Sequence, residues 1–319
     1  MTGPILLLGK DGQVGRELQR SLAGHGRIVA CGRAEADCER PETLRELVRG
    51  TAPEVIVNAA AYTAVDRAES EPEAARRVNA DAVGVLAAEA RRLGALLVHY
   101  STDYVFDGTQ PGWYVETDAP NPLGVYGRTK LEGERAAATA GRHLVLRTSW
   151  VHAAHGHNFV RTMLRLARER EALDVVDDQR GCPTPAALVA DVTARAIARS
   201  RAADGGLPSG IYHVVAGGET TWCGFARFVL EEARRLGLPL AAGPERVRGI
   251  PTSAFPTPAR RPANSRLATE KLRTALGIEL PGWQDGAAPV VAALVAGFVA
   301  SQPGATPRLP AALLETGGA

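Results

Sequence analysis

Tyr126 and Lys130 stand four residues apart in the phrase Tyr126-Gly-Arg-Thr-Lys130, so on a helix they share one face. Upstream, the phrase Ser101-Thr-Asp-Tyr-Val-Phe106 carries Thr102 at the end of an apolar run. A hydroxyl at a strand end followed by Tyr-x-x-x-Lys suits carbonyl reduction. The tyrosine must give a proton to an oxygen that turns negative as hydride arrives. Its unperturbed pKa is about 10, so an adjacent ammonium is needed to bring it toward neutrality. Only three of the 37 basic residues are lysines (Lys10, Lys130 and Lys271), which makes Lys130 stand out. Alone, the pair would equally fit an exposed helix face.

A second constellation is Gly9-Lys-Asp-Gly-Gln-Val-Gly15, a GxxGxxG phrase directly after the apolar run Ile5–Gly9. Glycine is needed where a backbone turns tightly, approaches a pyrophosphate, and lets helix and strand pack closely. The helix that follows aims its free N–H groups and dipole at the phosphates. No Lys-Ser/Thr follows Gly15, which argues against an NTPase loop. After the second apolar run the chain reads Ala30-Cys31-Gly32-Arg33. A small residue then Arg leaves room and a counter-charge for a 2′-phosphate, so NADPH is expected over NADH, although Glu35 opposes this. Asp37 and Cys38 fall where such folds meet the adenine.

These residues need a frame. Strands are expected at Ile5–Gly9, Arg27–Cys31, Glu54–Asn58, Ala95–Ser101 and His143–Arg147. Helices are expected between them, including a six-turn Ala-rich helix over Pro72–Leu93 and another over Tyr126–Thr139. The alternation implies right-handed βαβ units: an α/β fold with a Rossmann-type doubly wound parallel sheet and a smaller C-terminal substrate-binding α/β region. The divisions expected are 1–150 for the dinucleotide, 151–302 for the substrate, and 303–319 as a mobile tail, with later segments returning to the first unit. Helices are expected at 158–170, 186–200, 221–236 and 284–300, and the proline-rich 239–265 stretch as an irregular segment over a surface.

Composition bounds the class. The 319 residues are 45% hydrophobic and 23% charged, with a net charge of +2, which speaks against a nucleic-acid binder. No unbroken run of 18 apolar residues occurs and the N-terminus does not read as a signal peptide, so no membrane partner is expected. The four cysteines form no C-x-x-C pair, and a cytoplasmic protein with reduced thiols is expected. His152, His155 and His157 have metal-like spacing, but no acidic or Cys partner stands nearby, and they are read as a polar loop. Cys182 is read as a packed small residue. No metal site is expected.

The glycine phrase, Asn58-Ala-Ala-Ala-Tyr-Thr-Ala-Val-Asp66, Ser101–Gly108, Tyr126–Lys130 and Arg147-Thr-Ser-Trp-Val151 together resemble extended short-chain dehydrogenases/reductases. Ala68–Pro72, Asn158–Leu164, Asp178-Gln179, Gly181, Pro183-Thr184 and Thr257–Leu267 match one branch of that family. The match runs in order from residue 5 to about 300. That branch reduces the C4 keto group of dTDP-4-dehydro-β-L-rhamnose with NADPH, and sometimes with NADH. The resemblance implies a dTDP-sugar substrate and cofactor contacts from Gly9, Gly12, Gln13, Val14, Gly15, Asp37, Cys38, Ala61, Tyr62 and Thr63. Cys38 departs from the aromatic common there. It implies that Tyr126 and Lys130 are the catalytic pair, with Lys130 holding the ribose, and that Thr102 bonds the carbonyl oxygen. Thr102, Asp103 and Trp150 match sugar contacts.

Arg260 and Arg261 are candidates for the substrate diphosphate, since guanidinium forks match phosphate oxygens. Asn158 and Phe159 are candidates for the nucleotide side. Some relatives hold Mg²⁺ between two subunits. Here Glu17 matches one ligand position while Ala187 and Ala293 fall at the others, so a monomer or weak homodimer without Mg²⁺ is expected. An epimerase or dehydratase of the same superfamily, or a regulatory subunit like that of methionine adenosyltransferase, remain alternatives. Tyr104 after Asp103 disfavours a dehydratase, and the intact Thr102/Tyr126/Lys130 set favours catalysis.

Overall fold

The structure is a computed structural model describing residues 3–202 and 206–300; the expected tail at 303–319 lies outside the described residues. The first half runs Ile5–Leu8 (β1), Gln13–Ser21 (α1), Ile28–Cys31 (β2), Pro41–Thr51 (α2), Val55–Asn58 (β3), Val65–Ala68 (α3), Pro72–Arg76 (α4), Ala82–Leu93 (α5), Leu96–Thr102 (β4), Val125–Ala138 (α6) and His143–Thr148 (β5). The second half runs Val151–His152 (β6), Phe159–Glu169 (α7), Leu173–Val176 (β7), Arg180–Gly181 (β8), Thr184–Pro185 (β9), Ala186–Ser200 (α8), Gly210–His213 (β10), Thr220–Thr221 (β11), Trp222–Arg235 (α9), Val247–Ile250 (β12), Glu270–Leu276 (α10) and Trp283–Ala300 (α11).

Six strands form one sheet in the order β10-β5-β4-β3-β1-β2, every pair parallel. β1, β3 and β4 are wholly buried, as the central strands of a parallel sheet covered on both faces must be. Leu18, Leu22, Val189 and Ile197 of α1 and α8 cover one face. Leu44, Val48, Leu86 and Ala90 of α2 and α5 cover the other. The chain winds one way from β1 to β2 and the other way from β3 onward. The carboxyl ends of β1 and β3 therefore splay and open a crevice. A second core joins α7, α9, α11, β7 and β12 through Val160, Phe225, Val229, Val247 and Val291.

The later segments do return to the sheet: β10 is its sixth strand and α8 one of its covering helices. The sequence reading did not foresee β10 or α10. The 239–265 stretch is not irregular throughout, because β12 pairs in parallel with β7. α11 is long and apolar enough to cross a bilayer by length and composition. Its Trp283, Ala287, Val291, Leu294 and Val295 are buried in the second core.

The expected helix over Pro72–Leu93 is broken by a π-helical turn at Arg77–Asp81. The cause is Asn79. Its Oδ1 accepts from the Tyr62 N–H at 2.9 Å, and its Nδ2 donates to the Tyr62 carbonyl and Thr129 Oγ1, each at 3.1 Å. The widened turn brings this amide against the loop after β3 and against α6 at once.

Between β5 and α6 lies a buried ion pair. Arg147, 1% exposed, donates from Nε and Nη2 to Glu134 at 2.8 and 2.7 Å, and Ser101 Oγ donates to the same carboxylate at 2.5 Å. Removing one partner strands a buried charge. Arg147→Met should lower the unfolding free energy by about 3–5 kcal/mol in urea titrations. Glu134→Leu added to it should restore much of the loss.

Candidate active site

The β1–α1 junction is built so that backbone can meet a ligand. Gly9 has φ +80°, and a Cβ there would stand 2.6 Å from the Ala60 nitrogen. A Cβ on Gly15 would meet the Gly9 carbonyl at 2.0 Å. Gly12 opens α1 without a side-chain cap, leaving the first N–H groups of the helix for an anion. These observations fit a dinucleotide pyrophosphate.

Two adjoining cavities share Gly12 and Ala59–Ala61. One, of about 300 Å³, has Gly9, Gly32, Arg33, Cys38 and Tyr62 in its wall. The other, of about 560 Å³, gathers Gln13, Val14, Thr63, Thr102, Asp103, Tyr126, Lys130 and Trp150. The catalytic set expected from the sequence thus converges with the cofactor set at the carboxyl edge of the sheet. Asp37 stands beside the smaller cavity, its Oδ1 accepting from the Glu39 N–H at 3.1 Å. Arg33 is exposed at that cavity's rim and paired with Glu39. Glu35 is turned away: its carboxylate takes Lys10 Nζ at 2.6 Å and the Gly32 N–H at 2.7 Å.

Tyr126 and Lys130 lie one turn apart on α6. Lys130 is 2% exposed; its Nζ donates to the Tyr100 carbonyl at 2.6 Å and lies 3.4 Å from His99 Nε2. Burial pulls the ammonium down to about 8, against the Glu134 carboxylate, which raises it. Burial pushes the Tyr126 hydroxyl up to about 12; a hydrogen bond with Thr102 works against this, and the charge of Asp103 adds to it. The ammonium was expected to lower Tyr126. Here its contacts are the Tyr100 carbonyl and His99 instead, because a buried cation needs an acceptor and β4 supplies one.

His99 was missed by the sequence reading. It is fully buried and faces Asn58 Nδ2 through Nδ1 at 3.2 Å, the two residues being direct partners across β3 and β4. Their signal was polar side chains inside apolar strand runs. Trp222 was also missed. It stacks on Trp150 with ring centroids 3.5 Å apart. Trp150 itself has φ +49°, rare for a bulky residue, and its ring fills the space a Cβ on Gly181 would need.

Several substrate-side expectations are redirected. Asn158 caps α7, and its Nδ2 donates to Gln13 Oε1 and the Ala153 carbonyl, each at 2.8 Å. It thereby ties the start of α7 to the glycine loop. Arg261 is half-buried and grips Asp66 at 3.1 and 2.7 Å; Arg260 is exposed and lines neither cavity. A third cavity, of about 600 Å³, is walled by Phe159, Gln179, Trp222, Phe255 and Arg261. The expected histidine loop is only partly a loop. His152 is buried in β6, where burial lowers it to about 4, while His155 reaches the Gln13 carbonyl. Among the described residues no group of three His, Cys, Asp or Glu is placed to hold a metal ion. Cys182 is packed at 0% exposure beside Phe106 and Leu267.

The model of the RmlD substrate binding domain family matches residues 1–296. The chain is 55% identical to a dTDP-4-dehydrorhamnose reductase of Burkholderia thailandensis, over 88% of this chain and 95% of that one. It is 52% identical to the Escherichia coli enzyme of the same name over the same shares. Among solved structures it is similar to a dTDP-4-dehydrorhamnose reductase from Bacillus anthracis in complex with NADP, with a TM-score of 0.82 and 32% identity, covering 90% and 97% of the two chains.

The buried ammonium has a consequence for stability. A lysine held at about 8 when folded and near 10.4 when unfolded binds fewer protons in the folded state across that window. Stability gained from this group therefore rises with pH between those values. From pH 7.5 to 10 the native protein should gain on the order of 2–3 kcal/mol relative to Lys130→Met, read from paired urea titrations.

Proposed function

The chain belongs to the RmlD substrate binding domain family, and from that premise we propose how its cleft performs the family's reaction. The chain reduces the C4 keto group of dTDP-4-dehydro-β-L-rhamnose to give dTDP-β-L-rhamnose, with NADP(H) as cofactor. The observation that carries the assignment of roles is the convergence of Thr102, Tyr126 and Lys130 with the uncapped start of α1 in one cavity.

When bound, NADPH supplies the hydride. Gly9–Gly15 hold its pyrophosphate on backbone N–H groups, and Ala61–Thr63 lie along the nicotinamide half. Arg33, which shares the wall of the smaller cavity with its partner Glu39, would turn to the 2′-phosphate, while Glu35 is engaged by Lys10. NADH is then the poorer cofactor. Lys130 turns from the Tyr100 carbonyl to the ribose hydroxyls. Its positive charge then favours the tyrosinate that forms as Tyr126 gives its proton to the C4 oxygen. Thr102 donates a hydrogen bond to that oxygen, and Trp150, backed by Trp222, forms the wall against which the sugar rests. The thymidine diphosphate extends into the third cavity, its base between Phe159 and Phe255 and its phosphates toward Arg261. The four unpaired, buried cysteines suit a reducing, cytoplasmic setting. Glu17 faces His155 and Arg20, and turnover requires no divalent cation.

The test is loss of reduced-nicotinamide absorbance on adding dTDP-4-dehydro-L-rhamnose. Tyr126→Phe should bind NADPH normally and lose roughly 10²–10⁴ in kcat; near-native kcat would remove it as the proton donor. Arg33→Ala should erase the preference for NADPH over NADH in kcat/KM, and equal values in the native protein would refute that preference. Activity should persist in EDTA; loss restored by Mg²⁺ would refute metal independence.

A further inference from the structure

Asp103 is a buried carboxylate to which the mechanism so far gives no proton chemistry. It is 2% exposed, and its Oδ2 has no hydrogen-bond partner among the described residues. Its Oδ1 lies 3.0 Å from Thr102 Oγ1, which also accepts the Tyr104 N–H at 3.2 Å. Tyr126 shares a cavity with Thr102 and Asp103, and Ser265 is close enough to Asp103 to favour its charged form.

Counting protons and lone pairs gives the consequence. A threonine hydroxyl has one proton and two lone pairs. An ionised Asp103 can only accept, so it draws the Thr102 proton onto Oδ1. One Thr102 lone pair then receives the Tyr104 N–H and the other is left open to the neighbouring Tyr126 O–H. In that state neither hydroxyl proton points at a substrate. A protonated Asp103 donates to Thr102 Oγ1 instead. It takes the lone pair left open to Tyr126 and frees the Thr102 proton. Both hydroxyls can then donate to the two lone pairs of one carbonyl oxygen.

We propose that Asp103 is a positioning residue acting through Thr102: its acid form turns the Thr102 and Tyr126 hydroxyls onto the substrate's C4 oxygen, and its carboxylate form turns them away. This rests on the reading of the cleft as a C4-keto reductase. The surroundings suit a group that titrates in the working range. Tyr104, Tyr126, Cys182, Ser265 and Thr102 face it. The charged side chains behind Tyr104 and Cys182 are the pairs Arg261–Asp66 and Arg266–Glu219, each internally compensated. Burial pushes the carboxyl up to about 6, against the hydrogen bonds from Ser265 and Thr102.

The experiment is kcat/KM for the sugar from pH 5 to 8.5 at saturating NADPH, in the native protein, Asp103→Asn and Thr102→Val. Cofactor binding, followed by fluorescence, confirms that each variant is folded. The native profile should fall tenfold per pH unit above a break displaced upward from the ordinary carboxyl range, since at saturating NADPH kcat/KM for the sugar reports groups of the cofactor complex. Asp103→Asn carries a permanent N–H donor toward Thr102 and should lose that break. Thr102→Val should be slower and should lose it too, because the proton then has no hydroxyl to turn. A native profile without the break, or a break that survives in either variant, overturns the proposal. A Thr102→Val profile that keeps the break would show Asp103 acting on the sugar directly. No NADPH oxidation by the native protein would instead overturn the functional reading.

Discussion

A strand buried along its whole length that nevertheless carries polar side chains imposes the constraint on which this molecule depends. β4 is covered over all seven residues, yet it includes His99, Ser101 and Thr102. Each of these groups must find a partner inside the protein, and α6 supplies most of them. Ser101 meets Glu134, the Tyr100 carbonyl meets Lys130, and His99 Nε2 lies 3.4 Å from the same Lys130 ammonium. The register of α6 on β4 is therefore set by hydrogen bonds as much as by packing. Two glycines permit the approach: a Cβ on Gly127 would stand 2.2 Å from the Tyr104 carbonyl, and one on Gly133 2.1 Å from that of Asn79. Satisfying the polar face of one strand and aligning the reactive groups are the same structural event.

The same burial shapes the electrostatics. It disfavours charge on both members of the pair, raising the tyrosine and lowering the lysine. A resting site of this kind keeps its proton on Tyr126 and its ammonium against a backbone carbonyl. Charge becomes favourable only once a ligand supplies partners that the protein withholds. The strained Trp150 backbone belongs to the same economy of position. Its ring is held between Trp222 and the bare backbone of Gly181, which fixes one wall of the cleft without a polar contact.

Much of this was legible in the sequence because backbone geometry leaves compositional marks. Gly9, Gly12 and Gly15 are needed by sterics, and the spacing of Tyr126 and Lys130 follows from helical pitch. Apolar runs with alternating helices disclosed five of the six sheet strands. What escaped depends on distant pairing. β10 is a four-residue strand that, among the described residues, pairs with β5 alone, and nothing local marks it. Asn158 and Arg261 are also held by partners that sequence proximity does not reveal: Gln13 and Asp66, 145 and 195 residues away. His99 lies unremarked in an apolar strand run, and its register opposite Asn58 places it in a polar chain that continues to Lys130.

The π-helical turn at Arg77–Asp81 carries a consequence for how this architecture can change. Such a turn is an α-helix with one residue too many. Deleting a single residue there would regularise the helix and rotate its N-terminal part by about 100° relative to α5. Asn79 would swing off the Tyr62 backbone and Thr129 together, and the loop after β3 would lose its fixed height above the crevice. Length at this point is thus quantised: sequences that share the cleft must keep the surplus residue or rebuild both the loop and the facing turn of α6. A helix that reads as uniform by composition is, in copy number, one of the least tolerant segments of the chain.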